Sequence, residues 1–244
     1  YRMVADLCGA GTIAAPMRRF THDLNAMLAA VTPETRIVFV GNPNNPTGTM
    51  VSAAALDKFM DKLPAHVVAV LDEAYIEFVA SNKQPDSLRY VREDRNAIVL
   101  RTFSKTYGLA GLRIGYAIAP PDCAGLLHRA RQPFNVNAMA QAAALAALAD
   151  GEHVFRTRRM VRSGLAFFEA AFRKMRLPFV PSVANFMLVK TGRGREVSQA
   201  MQRERVIVRP MDGYGLPEYI RITVGTSVEN QRCVEALAGV LKTL

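Results

Sequence analysis

Several features that would place a protein in a familiar class are missing from this sequence of 244 residues. No apolar run approaches the roughly 20 residues of a membrane helix, and no signal-peptide pattern opens the chain. The most apolar stretch, residues 138–149, is rich in alanine and contains Gln141, which favours a packed helix. We therefore expect no membrane partner, and a substantial core in one large domain or two smaller ones.

Cysteine and histidine are scarce as well. The three cysteines are far apart and odd in number, which favours free thiols in a reducing cytoplasm over a disulfide framework. The four histidines show no metal-ligand spacing, so no metal site is expected. The sequence also contains no internal repeat and no low-complexity tract.

Positive charge, in contrast, is abundant. The 31 Lys and Arg residues exceed the 21 Asp and Glu residues by 10, which first suggests a nucleic acid as partner. The basic residues are dispersed, however, and the densest group, at residues 156–162, has alternating apolar positions typical of a solvated helix face. No nucleic-acid motif accompanies it. We therefore expect no nucleic acid, and only a weak bias towards anionic small molecules.

Strand-like and helix-like segments alternate in the first part of the chain. This alternation predicts an α/β fold with a mainly parallel sheet flanked by helices. The predicted strands are 36–40, 67–72, 97–103 and 112–119, and the predicted helix is 52–63, with Ser52 as its N-cap.

The pattern changes near residue 150. A long helix is predicted at 151–175, followed by one member of a strand pair, a helix, two more strands and a closing helix, at 179–191, 195–205, 206–211, 219–226 and 228–241. We interpret residues 1–150 as part of a large domain and residues 151–244 as a smaller C-terminal α+β domain.

Polar features follow three of the predicted strands. The loop at 42–48 contains two Asn-Pro steps and a Thr-Gly, and its Asn45 offers an amide hydrogen bond. A tight turn alone would explain this composition, and Asn45-Pro46 is a candidate cis peptide. Asp72 ends a buried apolar run, which is costly unless a cation such as a pyridinium nitrogen pairs with it. Without its neighbours, an ordinary strand-end Asp that caps the following turn would be the favoured interpretation. Tyr75, three positions on, is placed to aim its hydroxyl at a ring oxygen, and Glu73 is interpreted as structural.

Lys105 follows the next strand, in Phe103-Ser104-Lys105-Thr106-Tyr107-Gly108. A single lysine among 31 basic residues carries little information. A lysine desolvated in a closed cleft, however, is able to form a Schiff base with an aldehyde, and Ser104 with Arg113 is suited to hold a phosphate. Amine and phosphate anchor together are what pyridoxal 5′-phosphate requires. Ligands bind beyond the carboxyl ends of parallel strands, where Asn45, Asp72 and Lys105 are expected to converge.

The three sequence strings around Asn45, Asp72 and Lys105, in this order, resemble those of the fold-type I pyridoxal-phosphate enzymes of the aspartate aminotransferase-like family. The resemblance covers essentially the whole chain. Strings in the C-terminal half are similar to the branch of that family that transaminates histidinol phosphate with 2-oxoglutarate in histidine biosynthesis. They are residues 132–137, 182–186, 206–210 and 219–226.

The resemblance implies a role for each matching position. Lys105, Asp72 and Tyr75 are the implied catalytic residues: Lys105 forms the imine and moves the proton, and Asp72 pairs with the pyridine nitrogen. Asn45 and Tyr75 would bond the ring oxygen, and Ser104 and Arg113 the cofactor phosphate. The implied substrate-binding residues are Arg209, Arg221 and Asn45, with the two arginines holding a phosphate in place of the usual carboxylate. A homodimer is implied too.

Other activities remain open at this point. An aromatic amino-acid aminotransferase and a threonine-phosphate decarboxylase share the scaffold, and a non-catalytic anion-binding module is the alternative from another class. The chain starts at Tyr1, inside the large domain of the relatives, and lacks their earlier cofactor-binding elements. We therefore expect a longer parent to be the enzyme, with the 244-residue chain binding cofactor weakly or not at all.

Overall fold

The apolar β-branched runs of the first half of the chain lie side by side as strands of one sheet in the computed structural model, which describes residues 1–244. The chain divides into two units, one of residues 1–43, 50–76 and 80–148, the other of residues 44–49, 77–79 and 149–244. A domain boundary at 150 stays a prediction. No helix is long and apolar enough to cross a membrane.

The first unit contains six helices and six strands. In chain order they are α1 (Arg2–Leu7), β1 (Met17–Arg18), β2 (Thr21–His22), α2 (Leu24–Ala29), β3 (Ile37–Gly41), α3 (Ala53–Lys62), β4 (Val68–Asp72), α4 (Ser87–Arg92), β5 (Ala97–Thr102), β6 (Gly115–Ile118), α5 (Pro121–Ala130) and α6 (Ala138–Ala149, whose last residue belongs to the second unit). Short 3-10 turns occur at Ser81–Lys83 and Ala110–Leu112. A third, Ile76–Phe78, begins at Ile76, the last residue of the 50–76 segment, and its other two residues are assigned to the second unit.

The sheet of the first unit has the order β3-β4-β5-β6. The first three strands are parallel and β6 is antiparallel to β5, so the expected mainly parallel α/β sheet is confirmed. Because the parallel strands are in register, Gly41 pairs with Asp72 and Asp72 with Leu100. The carboxyl ends of β3, β4 and β5 therefore lie side by side at one sheet edge.

The core of this unit forms where α2, α3 and α4 pack on the sheet. Its buried members are Leu24, Val40, Val51, Leu56, Phe59, Met60, Ala69, Leu71, Tyr90, Ala97 and Val99. The predicted N-cap of α3 is confirmed, since the Ser52 hydroxyl accepts a hydrogen bond from the Ala55 N–H at 3.2 Å.

Two predictions for the first unit are wrong in detail. The strand expected from residue 112 begins at Gly115, because Ala110–Leu112 form a 3-10 turn and Arg113 is left-handed, with φ of 53°. The helix at 138–149 forms, but the expected packing is limited. Only Ala140 and Ala144 are buried, and none of the helix's larger side chains is.

The second unit is built around an antiparallel sheet. Its elements are α7 (Gly151–Lys174), β7 (Phe179–Val180), β8 (Phe186–Lys190), α8 (Gly194–Arg203), β9 (Arg209–Pro210), β10 (Tyr219–Thr223) and α9 (Ser227–Thr243), with a 3-10 turn at Asp212–Tyr214. The strand order is β7-β8-β10-β9, with every neighbour antiparallel.

One side of α7 is apolar and packs on this sheet. Val161, Phe168 and Phe172 are buried against β8 and β10 residues such as Met187 and Ile220. The single strand expected at 179–191 is wrong: the chain forms two strands, β7 and β8, that pair with each other. The strand expected at 206–211 is only two residues long.

Candidate active site

Asp72 is the last residue of β4, and its carboxylate is held at both oxygens. Oδ1 accepts the Ala74 backbone N–H at 3.1 Å, and Oδ2 accepts the hydroxyl of Tyr1. The residue is half-buried. An anionic acceptor with a defined orientation therefore stands at the carboxyl end of a central strand.

Lys105 lies in the turn that follows β5. The turn is fixed by the buried Phe103 ring and by the Thr102 hydroxyl, which accepts the Ser104 backbone N–H at 3.0 Å. The ammonium nitrogen of Lys105 lies 5.3 Å from the ring centroid of Tyr75, a cation–π distance. Lys105 itself is exposed. The premise of a lysine desolvated in a closed cleft is therefore wrong for this structure.

Arg113 is placed by an unusual backbone conformation. Its φ of 53° lies in the left-handed region, which is rare for a residue with a side chain. Its guanidinium donates to the Ala110 carbonyl oxygen at 2.8 Å, closing the loop between Lys105 and β6.

These side chains share a cavity of about 330 Å³. Its lining residues are Asp72, Ala74, Leu100, Arg101, Thr102, Ser104, Lys105 and Arg113. The volume is at the lower end of the range for small-molecule sites. The cavity thus combines a carboxylate, a primary amine, a hydroxyl and a guanidinium. Sequence reasoning expected these four groups to meet, and the structure places them around one space.

A buried ion pair adjoins this cavity. Glu73 follows Asp72 and is almost fully buried, with its side chain 1% exposed. Arg101 donates to Glu73 Oε2 from Nε at 3.0 Å and from Nη2 at 2.9 Å. Burial raises the pKa of Glu73, while the charge and the hydrogen bonds of Arg101 oppose that rise. The pair ties the end of β4 to β5.

Tyr1 is the site residue that sequence reasoning missed. The sequence indicates no role for Tyr1 in the site, yet its hydroxyl donates to Asp72 and its ring stacks on Phe39 of β3, with centroids 4.4 Å apart. Burial and the Asp72 carboxylate raise the pKa of the Tyr1 phenol. No local sequence signal announces a contact between residues 71 positions apart.

The second unit holds the other predicted residues. Arg221 on β10 lies directly opposite Arg209 on β9 in the strand register. The Arg221 guanidinium donates to Asn45 Oδ1 and stacks on the Phe186 ring, 4.7 Å from its centroid. Arg209 is exposed. Two guanidinium-bearing residues on neighbouring strands form a cationic surface suited to a phosphate or carboxylate.

The loop that carries Asn45 is built tightly. Both Asn42-Pro43 and Asn45-Pro46 are cis, so the candidate cis peptide is confirmed. Within the second unit, the Asn44 side chain donates to the Thr47 hydroxyl at 2.9 Å. Gly48, at φ of 72°, lies so close to the Ser182 side chain that a methyl group there would overlap it.

Comparison with known proteins agrees with this arrangement. The family described as aminotransferase class I and II matches residues 1–237. A histidinol-phosphate aminotransferase of Akkermansia muciniphila is 54% identical over 242 residues, covering 99% of this chain and 66% of that protein. Histidinol-phosphate aminotransferase 2 of Ralstonia nicotianae is 49% identical over 245 residues, again covering 99% and 66%. The chain thus spans just under two thirds of these curated relatives.

A solved structure gives the same result for the fold. The histidinol-phosphate aminotransferase of Sinorhizobium meliloti, solved in complex with pyridoxal-5′-phosphate, superimposes with a TM-score of 0.87 at 29% identity, covering 99% of this chain and 67% of that one. The architecture is that of the fold-type I transferases. The chain belongs to the aminotransferase class I and II family.

Proposed function

We propose that these residues belong to an enzyme that transfers an amino group between L-histidinol phosphate and 2-oxoglutarate, with pyridoxal 5′-phosphate as cofactor. The names of the relatives support the substrate and its place in histidine biosynthesis. The cavity shared by Asp72, Ser104, Lys105 and Arg113 is the observation on which the proposal depends.

The donor set of the cavity fits this cofactor. Pyridoxal phosphate presents a basic ring nitrogen, an aldehyde and a phosphate, and when bound it supplies an electron sink for the substrate's α-carbon. Asp72 offers a carboxylate for the ring nitrogen, Lys105 an amine for the aldehyde carbon, and Ser104 with Arg113 a hydroxyl and a guanidinium for the phosphate. Tyr75 and Asn45 are proposed to bond the ring oxygen.

The chain's own groups then account for the proton transfers. Asp72, fixed by two donors, holds a proton on the ring nitrogen by its negative charge. Lys105 is the base that would take the proton from the substrate α-carbon and deliver it to the carbon that was the cofactor's aldehyde carbon. Its approach over the Tyr75 ring limits the directions from which it acts.

Arg209 and Arg221 are proposed to hold the substrate's anionic end. Histidinol phosphate carries a phosphate and no carboxylate, and two arginines on paired strands suit a dianion better than one does. We expect Arg209→Gln to lower kcat/KM for histidinol phosphate about 10- to 100-fold, the loss of one charge-assisted hydrogen bond. Turnover of phenylalanine, whose carboxylate needs only one arginine, should fall much less. Equal losses for both substrates would contradict this assignment.

The direct test uses the complete natural polypeptide that contains these residues. We expect glutamate to form from 2-oxoglutarate with histidinol phosphate as amino donor, and a visible absorbance band with added pyridoxal phosphate that Lys105→Ala abolishes. Lys83→Ala, an exposed lysine of the same unit, is the matched control and should keep the band. Identical spectra for the Lys105→Ala and unmodified proteins would favour a non-catalytic anion-binding module.

The same assay separates the neighbouring activities. Preferred turnover of phenylalanine would indicate an aromatic amino-acid aminotransferase, and release of carbon dioxide from threonine phosphate would indicate a decarboxylase. Either outcome would refute the substrate assignment while leaving the cofactor assignment intact.

A homodimer in the cytoplasm completes the proposal. Large apolar side chains are exposed on and before α6, among them Phe134 at 98%, Met139 at 76% and Leu145 at 71%. Such side chains are common in subunit interfaces. The three cysteines are all free thiols, which suits a reducing compartment. Sedimentation equilibrium of the complete polypeptide tests the dimer, and a monomer at micromolar concentration would refute it.

A further inference from the structure

Tyr1 makes two specific contacts that simple packing does not require. Its ring lies parallel to that of Phe39, with centroids 4.4 Å apart and planes 12° apart. Its hydroxyl donates to Asp72 on the neighbouring strand. Phe39 pairs with Val70, two residues before Asp72, so Phe39 and Asp72 project from the same face of the sheet. Tyr1 therefore bridges two strands across the face that carries the candidate site.

The contact fixes the direction of the Asp72 carboxylate. A carboxylate with a single donor rotates about its Cβ–Cγ bond, whereas donors on both oxygens define its plane. Here Tyr1 bonds Oδ2 and the Ala74 N–H bonds Oδ1. Each oxygen keeps a further lone pair for a third donor. The carboxylate is thus oriented before any ligand arrives.

The proton in this hydrogen bond belongs to the phenol. The titratable groups that act on the Tyr1 hydroxyl are Asp72 and Tyr75, and burial together with the Asp72 charge raises the pKa of the phenol. Tyr1 thus remains the donor in its hydrogen bond to Asp72.

We propose that Tyr1 is a positioning residue for cofactor binding: its hydroxyl holds the Asp72 carboxylate in the orientation that pairs with the cofactor's ring nitrogen. This inference depends on the proposed function. It differs from a packing role, because Tyr1→Phe keeps the ring that stacks on Phe39 and removes only the hydrogen bond.

The test is a double-mutant cycle on the complete polypeptide. The dissociation constant of pyridoxal phosphate is measured by visible absorbance for the unmodified protein, Tyr1→Phe, Asp72→Ala and the double variant. We expect Tyr1→Phe to weaken binding about tenfold, as for loss of one hydrogen bond to a charged group. In the Asp72→Ala background the same change should alter affinity less than about twofold, because its only target is gone. Tyr214→Phe, at an exposed tyrosine of the second unit, is the control and should leave affinity unchanged.

A second readout requires no cofactor. With tyrosine labelled by ¹³C at Cζ, the resonance that disappears in Tyr1→Phe is that of Tyr1, and its titration is followed by NMR. We expect Asp72→Ala to lower the pKa of this phenol towards the ordinary tyrosine value, because a negative neighbour and acceptor is removed.

The outcomes separate this inference from the proposed function. If the unmodified protein binds the cofactor and Tyr1→Phe binds it equally well, or weakens it equally in both backgrounds, the positioning role is refuted and the function stands. An unchanged Tyr1 titration in Asp72→Ala would also refute it. If no variant, including the unmodified protein, develops a visible band, the proposed function fails and the positioning role fails with it.

Discussion

In the Glu73–Arg101 ion pair, we expect replacement of the two partners to lower the free energy of unfolding by different amounts. The Glu73 side chain is 1% exposed, whereas that of Arg101 is 25% exposed. Glutamine keeps the shape of Glu73, whereas at position 101 it is shorter and removes the guanidinium; each replacement leaves the other residue as an unpaired charge. Since Glu73 has no access to water and Arg101 has some, Arg101→Gln should be the more destabilising change.

The magnitudes follow from the burial of the residue that is left behind. Breaking a buried pair at one side costs about 3–5 kcal/mol when the remaining charge is fully enclosed. We expect Arg101→Gln to lower the free energy of unfolding by about 3 kcal/mol at pH 8, and Glu73→Gln by about 1–2 kcal/mol. The double variant should cost less than the two single costs added together, because neither charge is then left unpaired.

The pH dependence gives the sharper result. Burial raises the pKa of Glu73 above the 4.5 of an unfolded carboxyl, so its contribution to stability is fully present below that value and is lost as pH rises through the folded pKa. Without Arg101 one opposing interaction is gone and the pKa rises further. Arg101→Gln should therefore destabilise less at pH 5 than at pH 8, because the more acidic solution favours the neutral form of Glu73.

Urea unfolding followed by circular dichroism at both pH values measures these differences. Arg92→Gln is the matched control, because its pair with Asp86 is exposed at both ends, at 63% and 60%, and should contribute at most about 1 kcal/mol. A cost of Arg101→Gln that is equal at pH 5 and pH 8, or smaller than that of Glu73→Gln, would contradict the burial argument.

Two further predictions concern the second unit. Gly48→Ala should lower the free energy of unfolding by about 1–3 kcal/mol, because φ is 72° and the new methyl would overlap the Ser182 side chain. Ser182→Gly in the same chain should recover part of that loss in urea unfolding, and no recovery would show that the steric contact is unimportant. Asn230→Ala should cost about 2 kcal/mol, because the buried amide bonds both the N–H and the carbonyl of Gly225, at 2.8 Å and 3.1 Å. Gln231→Ala, on the exposed surface of the same helix, is its control and should change stability by less than about 0.5 kcal/mol.

The sheet and its polar edge were largely predictable from the sequence. Continuous apolar runs ending at Asp72 and Thr102 left few alternatives to buried parallel strands, and parallel strands bring their carboxyl ends together. The meeting of Asp72, Lys105 and Arg113 around one cavity therefore followed from strand order, without knowledge of side-chain positions.

Contacts that depend on long-range geometry were not predictable. Tyr1 contacts Asp72 across 71 positions of sequence, with its ring stacked on Phe39 of β3. The sequence indicates a structural role for Glu73 but does not indicate Arg101 as its partner, since a strand arginine gives no local sign of facing a buried acid. The exposure of Lys105 also escaped prediction, because burial is set by neighbours rather than by the apolar strand before it.

Arg209 and Arg221 occupy directly paired positions on β9 and β10, and this pairing affects how the stability of the protein depends on buffer anions. Like charges facing each other across two strands weaken the sheet at that point. Any multivalent anion that settles between them relieves the repulsion and binds the folded chain in preference to the unfolded one. Melting temperatures recorded in phosphate or sulfate buffers should therefore exceed those in Tris chloride of equal ionic strength, and crystallisation screens rich in sulfate are the natural place to begin.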